Sequence, residues 1–183
     1  VGTVDPSDNS ISFGSLVVFD AGMVYGDIAY DTTNNKVVIA YSDEGNSSYG
    51  TAIVGTVSGT SISFGSAIAI PSPTTSASGY LGITYDTNAD KILITNSTGG
   101  FSVVSGTVSG NSISFGDAFV IDSDTSGAYS VIAFDSSNNK SVVAYYDGNN
   151  SGKGTAHVLT LGTGITLTTE NYIGIANSCS FHG

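Results

Sequence analysis

The sequence predicts an all-β protein made of tandem four-stranded antiparallel sheets, and three observations support this class. A stretch of about 50 residues recurs along the chain, and its phrase Ser-Ile-Ser-Phe-Gly places Phe13, Phe64 and Phe115 at a spacing of 51 residues. Apolar runs of strand length alternate with turns rich in Gly, Asn and Ser. No window shows sustained helical periodicity. Such a period is typical of propellers, solenoids and arrays.

The first complete copy contains four successive strands joined by hairpins. Asp27–Tyr30 is a short first strand, and the turn Asp31–Lys36 after it is rich in side chains that hydrogen-bond their own backbone. Val37–Tyr41 is a nearly continuous apolar run, as expected of a strand covered on both faces. Thr51–Val57 is the third strand. The fourth strand alternates apolar and polar residues, and its apolar residues are Ile62, Phe64, Ala67 and Ile70.

The chain is out of phase with its own repeat. It begins with the last two strands of a copy, and Tyr172–Ala176 is similar to the first-strand segment that starts at Tyr80. We therefore divide the single repeat domain, residues 1–183, into a half repeat, three repeats and the start of another: 1–24, 25–71, 80–122, 129–167 and 172–183. Four-stranded sheets arranged radially form β-propellers of about four to eight blades. The open alternatives are a closed four-bladed ring, a ring of seven or eight blades shared by two chains, and a fibre.

Two of the four connections in each copy are uniform and two vary in length. The uniform turn after the first strand begins at Asp31, Asp86 and Asp135 and ends five residues later at Lys36, Lys91 and Lys140. We interpret these aspartates as turn formers in solvent, with the lysines as their local partners. The variable connections emerge at the opposite edge, where we expect any binding site.

Composition excludes several classes of function. The formal net charge is −11, and only four residues are basic, all of them lysine. Binding to nucleic acid or to an anionic membrane surface needs more positive charge than this. The longest apolar runs have strand length, so we expect no membrane insertion. Cys179 is the single cysteine, which permits no internal disulfide. An extracellular or virion surface fits this composition.

An active site is difficult to assemble, and we expect no enzyme. A thiol mechanism would need Cys179 together with His157 or His182. Glycoside hydrolysis needs a carboxylate pair, and five acidic residues are candidates for it: Asp43, Glu44, Asp122, Asp124 and Asp147. Propeller glycosidases usually add arginines and aromatic platforms, whereas this chain has no Arg and no Trp.

A calcium loop and glycosylation acceptors are the remaining candidate sites. Asp122-Ser-Asp124 has alternating oxygen ligands that suit Ca²⁺, although the later acidic ligand of a specific calcium loop does not follow. A solvated turn explains the segment better than a calcium loop, so we expect no cofactor. Asn46, Asn96 and Asn149 each begin an N-glycosylation motif, at similar places in the three complete copies.

Three phrases resemble the tandem repeats of large environmental phage virion proteins and related bacterial surface proteins. They are Gly106–Gly116, Tyr85–Lys91 and Thr168–Ala176. The resemblance covers nearly the whole chain and implies an exposed structural or adhesive part that assembles as an oligomer. The chain departs from the pattern at Asn177–Gly183, where those proteins usually continue into a further domain.

The sequence therefore predicts a non-enzymatic structural or adhesive protein of a virion or extracellular appendage. We expect a homo-oligomer or filament joined through the chain ends, because unpaired strand edges need a partner. The residues expected at these edges are Ile11, Phe13, Tyr172, Ile173 and Ile175. The alternative is a lectin-like module that holds glycans with Tyr, Asn and Asp at the variable edge, and a glycosidase comes third. Ile62, Phe64, Ile113 and Phe115 are expected in the core.

Overall fold

The structure, a computed structural model, describes residues 1–72, 79–97, 100–123, 128–161 and 167–172. These residues form antiparallel β-sheets and no α-helix, so the all-β class is confirmed. One turn of 3-10 helix lies at Glu44–Asn46. The strands are β1 (Gly2–Val4), β2 (Ile11–Phe13), β3 (Met23–Asp31), β4 (Lys36–Asp43), β5 (Tyr49–Ser58), β6 (Ser61–Phe64), β7 (Ile68–Ala69), β8 (Leu81–Asp86), β9 (Lys91–Asn96), β10 (Phe101–Ser109), β11 (Ser112–Phe115), β12 (Phe119–Asp122), β13 (Ala128–Asp135), β14 (Lys140–Asp147), β15 (Lys153–Leu161) and β16 (Leu167–Tyr172).

The strands form one ribbon and three sheets. β1 and β2 make a two-stranded N-terminal ribbon. The first sheet has the order β3-β4-β5-β6, the second β8-β9-β10-β11 and the third β13-β14-β15-β16. The expected fourth strand is split in two copies, because β7 and β12 pair separately with β5 and β10. Hairpins join consecutive strands within each sheet, as the sequence predicts.

The second sheet lies between the other two, and apolar side chains fill both boundaries. The boundary between the first and second sheets buries Val38, Ala40, Ala52, Val54, Ile70, Leu81, Ile83, Tyr85, Ile92, Ile94, Val104, Val108 and Ile113. The boundary between the second and third sheets buries Leu93, Phe101, Val103, Val143, Tyr145 and Leu159. Both faces of the second sheet are therefore covered, which explains the continuous apolar run Ile92–Ile94 in β9.

The N-terminal ribbon packs against the first sheet in the same way that the first sheet packs against the second. A Cβ atom at Gly65 would overlap the carbonyl oxygen of Asn111, in the β10–β11 turn of the next sheet. A Cβ atom at Gly14 would overlap the carbonyl oxygen of Thr60 in the same way. The ribbon pairing Gly2↔Phe13 also matches the pairing Gly55↔Phe64. The ribbon therefore corresponds to the outer two strands of a preceding sheet.

The repeated turns keep one backbone geometry in all three sheets. Their fifth residues, Asn35, Asp90 and Asn139, have φ angles of 53°, 55° and 52°, which Asn and Asp tolerate best among residues with a side chain. The first aspartate closes the turn. The Asp86 carboxylate accepts from the backbone N–H groups of Asn88 and Ala89, each at 2.9 Å.

One expectation about these turns needs correction. Asp31 and Asp86 are buried rather than solvated, because the turn folds over their carboxylates. The ammonium groups of Lys36 and Lys140 contact the third strand of their own sheets. Lys36 donates to the hydroxyl of Thr56 at 2.6 Å, and Lys140 donates to that of Thr160 at 2.6 Å.

The chain end also differs from the prediction. Tyr172 belongs to β16, the fourth strand of the third sheet, and pairs with His157 of β15. It therefore does not begin the first strand of a further repeat. Ile173 and Ile175 lie outside the described residues.

The predicted core positions are buried to different degrees. Ile113 is buried, whereas Ile62, Phe64 and Phe115 are half-buried. The matching side chains of the ribbon, Ile11 and Phe13, are exposed, since no preceding sheet covers them in the structure. Burial at this position therefore depends on the neighbouring sheet.

Candidate functional site

The variable edge carries two loops with the same hydrogen bonds. In the β4–β5 loop, the Asp43 carboxylate accepts from the backbone N–H of Asn46 at 3.1 Å. In the β14–β15 loop, the Asp147 carboxylate accepts from the backbone N–H of Asn150 at 3.0 Å. These carboxylates therefore hold their own loops in shape, a role that Asp commonly takes in turns.

The three glycosylation motifs are not equivalent in space. Asn46 and Asn149 are exposed in their loops, but the loop hydrogen bonds match Asn46 with Asn150. Asn96 is buried at the end of β9. A glycan on Asn96 would require this side chain to leave the protein interior. Glycosylation at Asn46 and Asn149 stays a prediction.

A tyrosine and an aspartate link neighbouring repeats at this edge. The Tyr41 hydroxyl donates to the Asp20 carboxylate at 3.2 Å, and the Tyr145 hydroxyl donates to the Asp122 carboxylate at 3.2 Å. Both tyrosines occupy the same position of the second strand, five residues after the lysine of the turn. Burial, together with the nearby Asp20 carboxylate, raises the pKa of Tyr41 well above its usual range. The phenol is therefore a fixed hydrogen-bond donor.

Only part of the predicted calcium segment falls within the described residues. Asp122 lies at the end of β12 and accepts the Tyr145 hydrogen bond, while Asp124 lies outside the described residues. Within the described parts of the chain, no three His, Cys, Asp or Glu side chains come close enough to hold a metal ion. Calcium binding by this segment has no support from the described side chains.

His157 is buried at the boundary between the second and third sheets. Its ring lies parallel to that of Tyr145, with centroids 5.9 Å apart, and its Nε2 atom is 3.3 Å from the Tyr145 hydroxyl. Burial lowers the pKa of His157, and the carboxylates of Asp122 and Asp147 oppose this effect. Cys179 and His182, the other members of the candidate thiol site, lie outside the described residues. His157 therefore packs as a neutral aromatic ring.

Three tyrosines form a column along the first strands, and sequence reasoning missed it. Tyr25, Tyr80 and Tyr129 come one from each sheet, and we call them the tyrosine column. The ring centroids of Tyr25 and Tyr80 are 4.5 Å apart, and those of Tyr80 and Tyr129 are 4.2 Å apart. Tyr25 and Tyr129, at the two ends, are exposed. The sequence did contain a signal for this column: each tyrosine lies six residues before the aspartate of a repeated turn.

Backbone irregularities direct the end tyrosines out of their sheets. The pairing of β3 with β4 shifts between Val24 and Asp27, and that of β13 with β14 shifts between Ala128 and Val131. Within these shifts Tyr25 and Tyr129 have φ angles of 48° and 54°. Left-handed backbone is rare for bulky residues, and bulges of this kind commonly re-aim side chains beside functional sites.

The phenol groups of the column interact with one another. A hydrogen bond with Tyr129 raises the pKa of Tyr80 to about 12, and loss of hydration and the neighbouring Tyr25 act in the same direction. The Ser130 hydroxyl donates to the Tyr80 carbonyl oxygen at 3.1 Å. Tyr80 is therefore connected to both of its neighbours in the column.

A small cavity lies on the face of the first sheet that is turned away from the second sheet, near the start of β3. It has a volume of about 260 Å³ and is lined by Phe19, Met23, Gly26, Asp27, Ile28 and Ile39. Asp27 is held in place, because one carboxylate oxygen accepts from the backbone N–H of Ile28 at 2.8 Å and the other from that of Ile83 at 3.1 Å. The bond to Ile83 directs this carboxylate towards the second sheet, whereas Ile28 and Ile39 line the cavity from the opposite face of the first sheet.

The described residues therefore form an all-β protein of consecutive antiparallel sheets, with the tyrosine column beside the first strands of the sheets. No family model, curated protein or solved structure matches the chain. Among the described residues, no helix is long and apolar enough to cross a bilayer.

Proposed function

We propose that this chain is a non-enzymatic structural or adhesive protein of a virion or extracellular appendage. Its sheets act as blades of a propeller-like array, and copies of the chain assemble through the two outer sides of that array. The outward side of the first sheet faces away from the second sheet, and so does the outward side of the third sheet.

The observation that carries this proposal is a difference in burial between equivalent residues. Ile83 of the second sheet is 5% exposed because the first sheet covers it, whereas its equivalent in the first sheet, Ile28, is 57% exposed. Tyr85 is likewise 7% exposed and its equivalent Tyr30 is 51% exposed. The outward side of the first sheet therefore has the apolar side chains of a sheet boundary. Along β3, however, nothing in the described structure covers them.

The third sheet presents the complementary surface. Leu93 of the second sheet is completely buried by the third sheet, whereas its equivalent Val142 is 40% exposed. Val131 and Tyr146 are exposed on the same outward side. Exposed apolar patches of this kind often mark interaction surfaces.

A second copy of the chain is the partner we favour. The chain already contains two boundaries between sheets of this design, so each outward side has the shape and chemistry to continue the series. Ile11 and Phe13 on the N-terminal ribbon extend the uncovered surface. Identical contacts that repeat head to tail give a closed ring or a filament, depending on the rotation.

Light scattering on single-charge variants tests the proposal. Ile28→Glu and Val142→Glu each place a carboxylate on one outward side, and each is expected to shift the protein from oligomer to monomer. Val120→Glu is the matched control, because Val120 is exposed on β12 away from both outward sides. A wild-type protein that remains monomeric at concentrations of about 100 μM, well above a micromolar dissociation constant, would overturn the proposal.

A lectin-like glycan-binding module is the second candidate function. The tyrosine column favours it, because Tyr offers an apolar ring face and a polar hydroxyl at the same exposed site. Glycan affinity that survives dilution to the monomer would distinguish this function from adhesion by assembly alone.

A further inference from the structure

We propose that the outward side of the first sheet is a docking site for a two-stranded β-hairpin of this repeat type, supplied by another chain. The hairpin pairs with strand β1 of the N-terminal ribbon and completes the ribbon to a four-stranded sheet. This inference rests on the proposed function only in using the same outward side, and it names the kind of partner that this side accepts.

The N-terminal ribbon has the strands of half a sheet. β1 and β2 hold the places of β5 and β6, and within the described residues β1 pairs with β2 alone. In the same part of the chain, no strands lie beside β1 in the places that β3 and β4 hold beside β5. An edge strand of this kind is a template for pairing with another chain.

The ribbon's own hydrogen bonds show which backbone groups face the open edge of β1. The backbone N–H of Asp5 donates to the carbonyl oxygen of Ser10 at 2.9 Å. Bonded and non-bonded pairs alternate along an antiparallel ladder. Thr3 is therefore bonded to β2, whereas the N–H and C=O groups of Gly2 and Val4 point away from it. These groups are directed towards an added strand.

The outward side chains of β3 and β4 form the floor of the site. They are Ile28, Tyr30, Val37 and Ile39. Their equivalents on the second sheet, which the hairpin β3–β4 covers and buries, are Ile83, Tyr85, Ile92 and Ile94. On the first sheet Ile28 and Tyr30 are exposed, and the cavity of about 260 Å³ lies beside Ile28 and Ile39. The floor therefore carries the residue types that such a hairpin covers inside the chain.

Small apolar side chains are required on the face of the hairpin that meets this floor. At the internal boundary, β3–β4 turns Ala29, Val38 and Ala40 towards the second sheet. The equivalent residues of β13–β14 are Ala133, Val142 and Ala144. The same three residue types in two hairpins indicate that this face is a property of the repeat, so the partner needs Ala and Val at these positions.

A lysine at the turn of the hairpin also finds acceptors in the site. At the internal boundary, Lys36 donates to the Thr56 hydroxyl at 2.6 Å and to the side-chain oxygen of Asn111 at 3.1 Å. Thr3 of the ribbon and Thr60 of the first sheet hold the corresponding positions, and both are exposed. The net charge of −11 further favours a partner that brings a cation.

The tyrosine column ends where the hairpin docks. The ring centroids of Tyr25 and Tyr80 are 4.5 Å apart, and Tyr25 is exposed. A tyrosine at the equivalent position of the docked hairpin extends the column by one ring. The hairpin therefore continues three features of the internal boundary: the apolar floor, the lysine contact and the column.

A synthetic peptide of residues 23–43 is the probe, because it contains β3, the turn and β4. A fluorescent label at its N-terminus reports binding by anisotropy. The host is the full chain with Val142→Glu, since this change keeps the peptide from binding to the outward side of the third sheet. We expect saturable binding with a dissociation constant of about 100 μM or tighter.

Two variants of the peptide, in which residues keep their numbers, test which face it uses. Ala40→Glu places a carboxylate on the face that meets the floor and should weaken binding at least about tenfold, because the charge loses its hydration. Ile39→Glu changes the neighbouring residue on the opposite face of the strand. It is the matched control and should change affinity by less than about threefold.

Two variants of the host locate the site. Val4→Pro removes an N–H that points at the added strand but keeps the ribbon's own bonds, and it should weaken binding about fivefold, as loss of one hydrogen bond does. Val4→Ala is its control and should bind like the host. Ile28→Glu on the floor should weaken binding at least about tenfold, whereas Val120→Glu should have no effect. Unchanged melting temperatures exclude unfolding as the cause.

Three results would overturn the inference. They are no saturable binding up to about 1 mM peptide, equal losses for the Ala40→Glu and Ile39→Glu peptides, and unchanged affinity in Val4→Pro. Light scattering on the wild-type protein without peptide tests assembly separately. Oligomers together with any of the three results reject the hairpin site and leave the assembly proposal standing. A monomer that binds the peptide rejects assembly and leaves the hairpin site standing.

Discussion

The Tyr145 hydroxyl donates a 3.2 Å hydrogen bond to the Asp122 carboxylate across the boundary between the second and third sheets. Tyr41 of the first sheet and Asp20, in the segment between the N-terminal ribbon and β3, repeat this bond at the same length. Between the first and second sheets, Pro71 and Asn96 occupy the equivalent positions and cannot form it. Hydrogen bonds at two boundaries therefore fix the position of one sheet relative to the next more tightly than apolar packing alone would.

Tyr145→Phe tests the contribution of this bond. Removing the hydroxyl leaves the Asp122 carboxylate with one donor fewer, and we expect the free energy of unfolding to fall by about 1 to 3 kcal/mol. Tyr146→Phe is the matched control, since its exposed ring should change stability by less than about 0.5 kcal/mol. Chemical denaturation measures both. Equal effects would show that the bond contributes nothing specific.

Asp86→Ala should destabilise the protein more than an exposed turn substitution. The buried carboxylate accepts from two backbone N–H groups of the turn, so its removal takes away both hydrogen bonds, at a cost of about 1 to 3 kcal/mol. Asp86→Asn, which keeps one acceptor oxygen, should recover part of the loss. Thermal unfolding of both variants checks this order.

Stability should decline in mild acid because of His157. Burial lowers the pKa of His157 in the folded protein below its ordinary value, about 6.5 in the unfolded chain. The unfolded state therefore takes up the proton first. The stability contribution of neutral His157 is present above about pH 6.5 and is lost as the pH falls through the folded pKa. Denaturation midpoints at pH 7.5 and 5 should differ less in His157→Gln than in the wild type.

A late phase should appear in the alkaline titration of tyrosine. The pKa of Tyr80 is raised to about 12, against an ordinary value of about 10. Raising the folded pKa of an acid adds stability below about pH 10, which is lost between pH 10 and 12. Phenolate absorbance should show this phase in the wild type. In Tyr129→Phe the midpoint should move towards 10, and an unchanged midpoint would remove Tyr129 as the cause.

The repeated phenylalanine should matter only where a neighbouring sheet covers it. Phe115 packs against the first core cluster, so Phe115→Ala should cost about 2 to 4 kcal/mol, in the range of large-to-small core changes. Phe13 is 78% exposed, so Phe13→Ala should lower the free energy of unfolding of a monomer by less than about 1 kcal/mol. A much larger loss for Phe13→Ala in the assembled protein than in the monomer would place Phe13 at the contact between copies.

Sequence reasoning located the sheets because hydrophobic alternation and turn residues are local signals. The Asp-to-Lys turns and the apolar run Val37–Tyr41 appear in the structure as hairpins and strand β4. Sequence reasoning did not predict the burial of residues that are covered only by packing within the folded protein. Asp86 resembles a solvated turn residue, and only the packed turn hides its carboxylate.

The candidate site was harder to predict for a related reason. The sequence indicated the variable edge but not the tyrosine column, because alternation in a regular strand cannot anticipate the bulges at Tyr25 and Tyr129. Tyr172 was placed in the wrong strand because its local phrase resembles a first strand. Pairing with His157 in the third sheet outweighs that resemblance.

The fit between Gly65 and the Asn111 turn has a further consequence for how such a chain can change its length. The first sheet carries both halves of this joint, because Gly65 meets the turn of the second sheet and its own Thr60 turn meets Gly14 of the ribbon segment. A gene duplication of one whole 51-residue unit would supply a matching joint at each side of the insertion, whereas a shorter duplication would not. Growth and shortening of this array are therefore expected to occur in whole units.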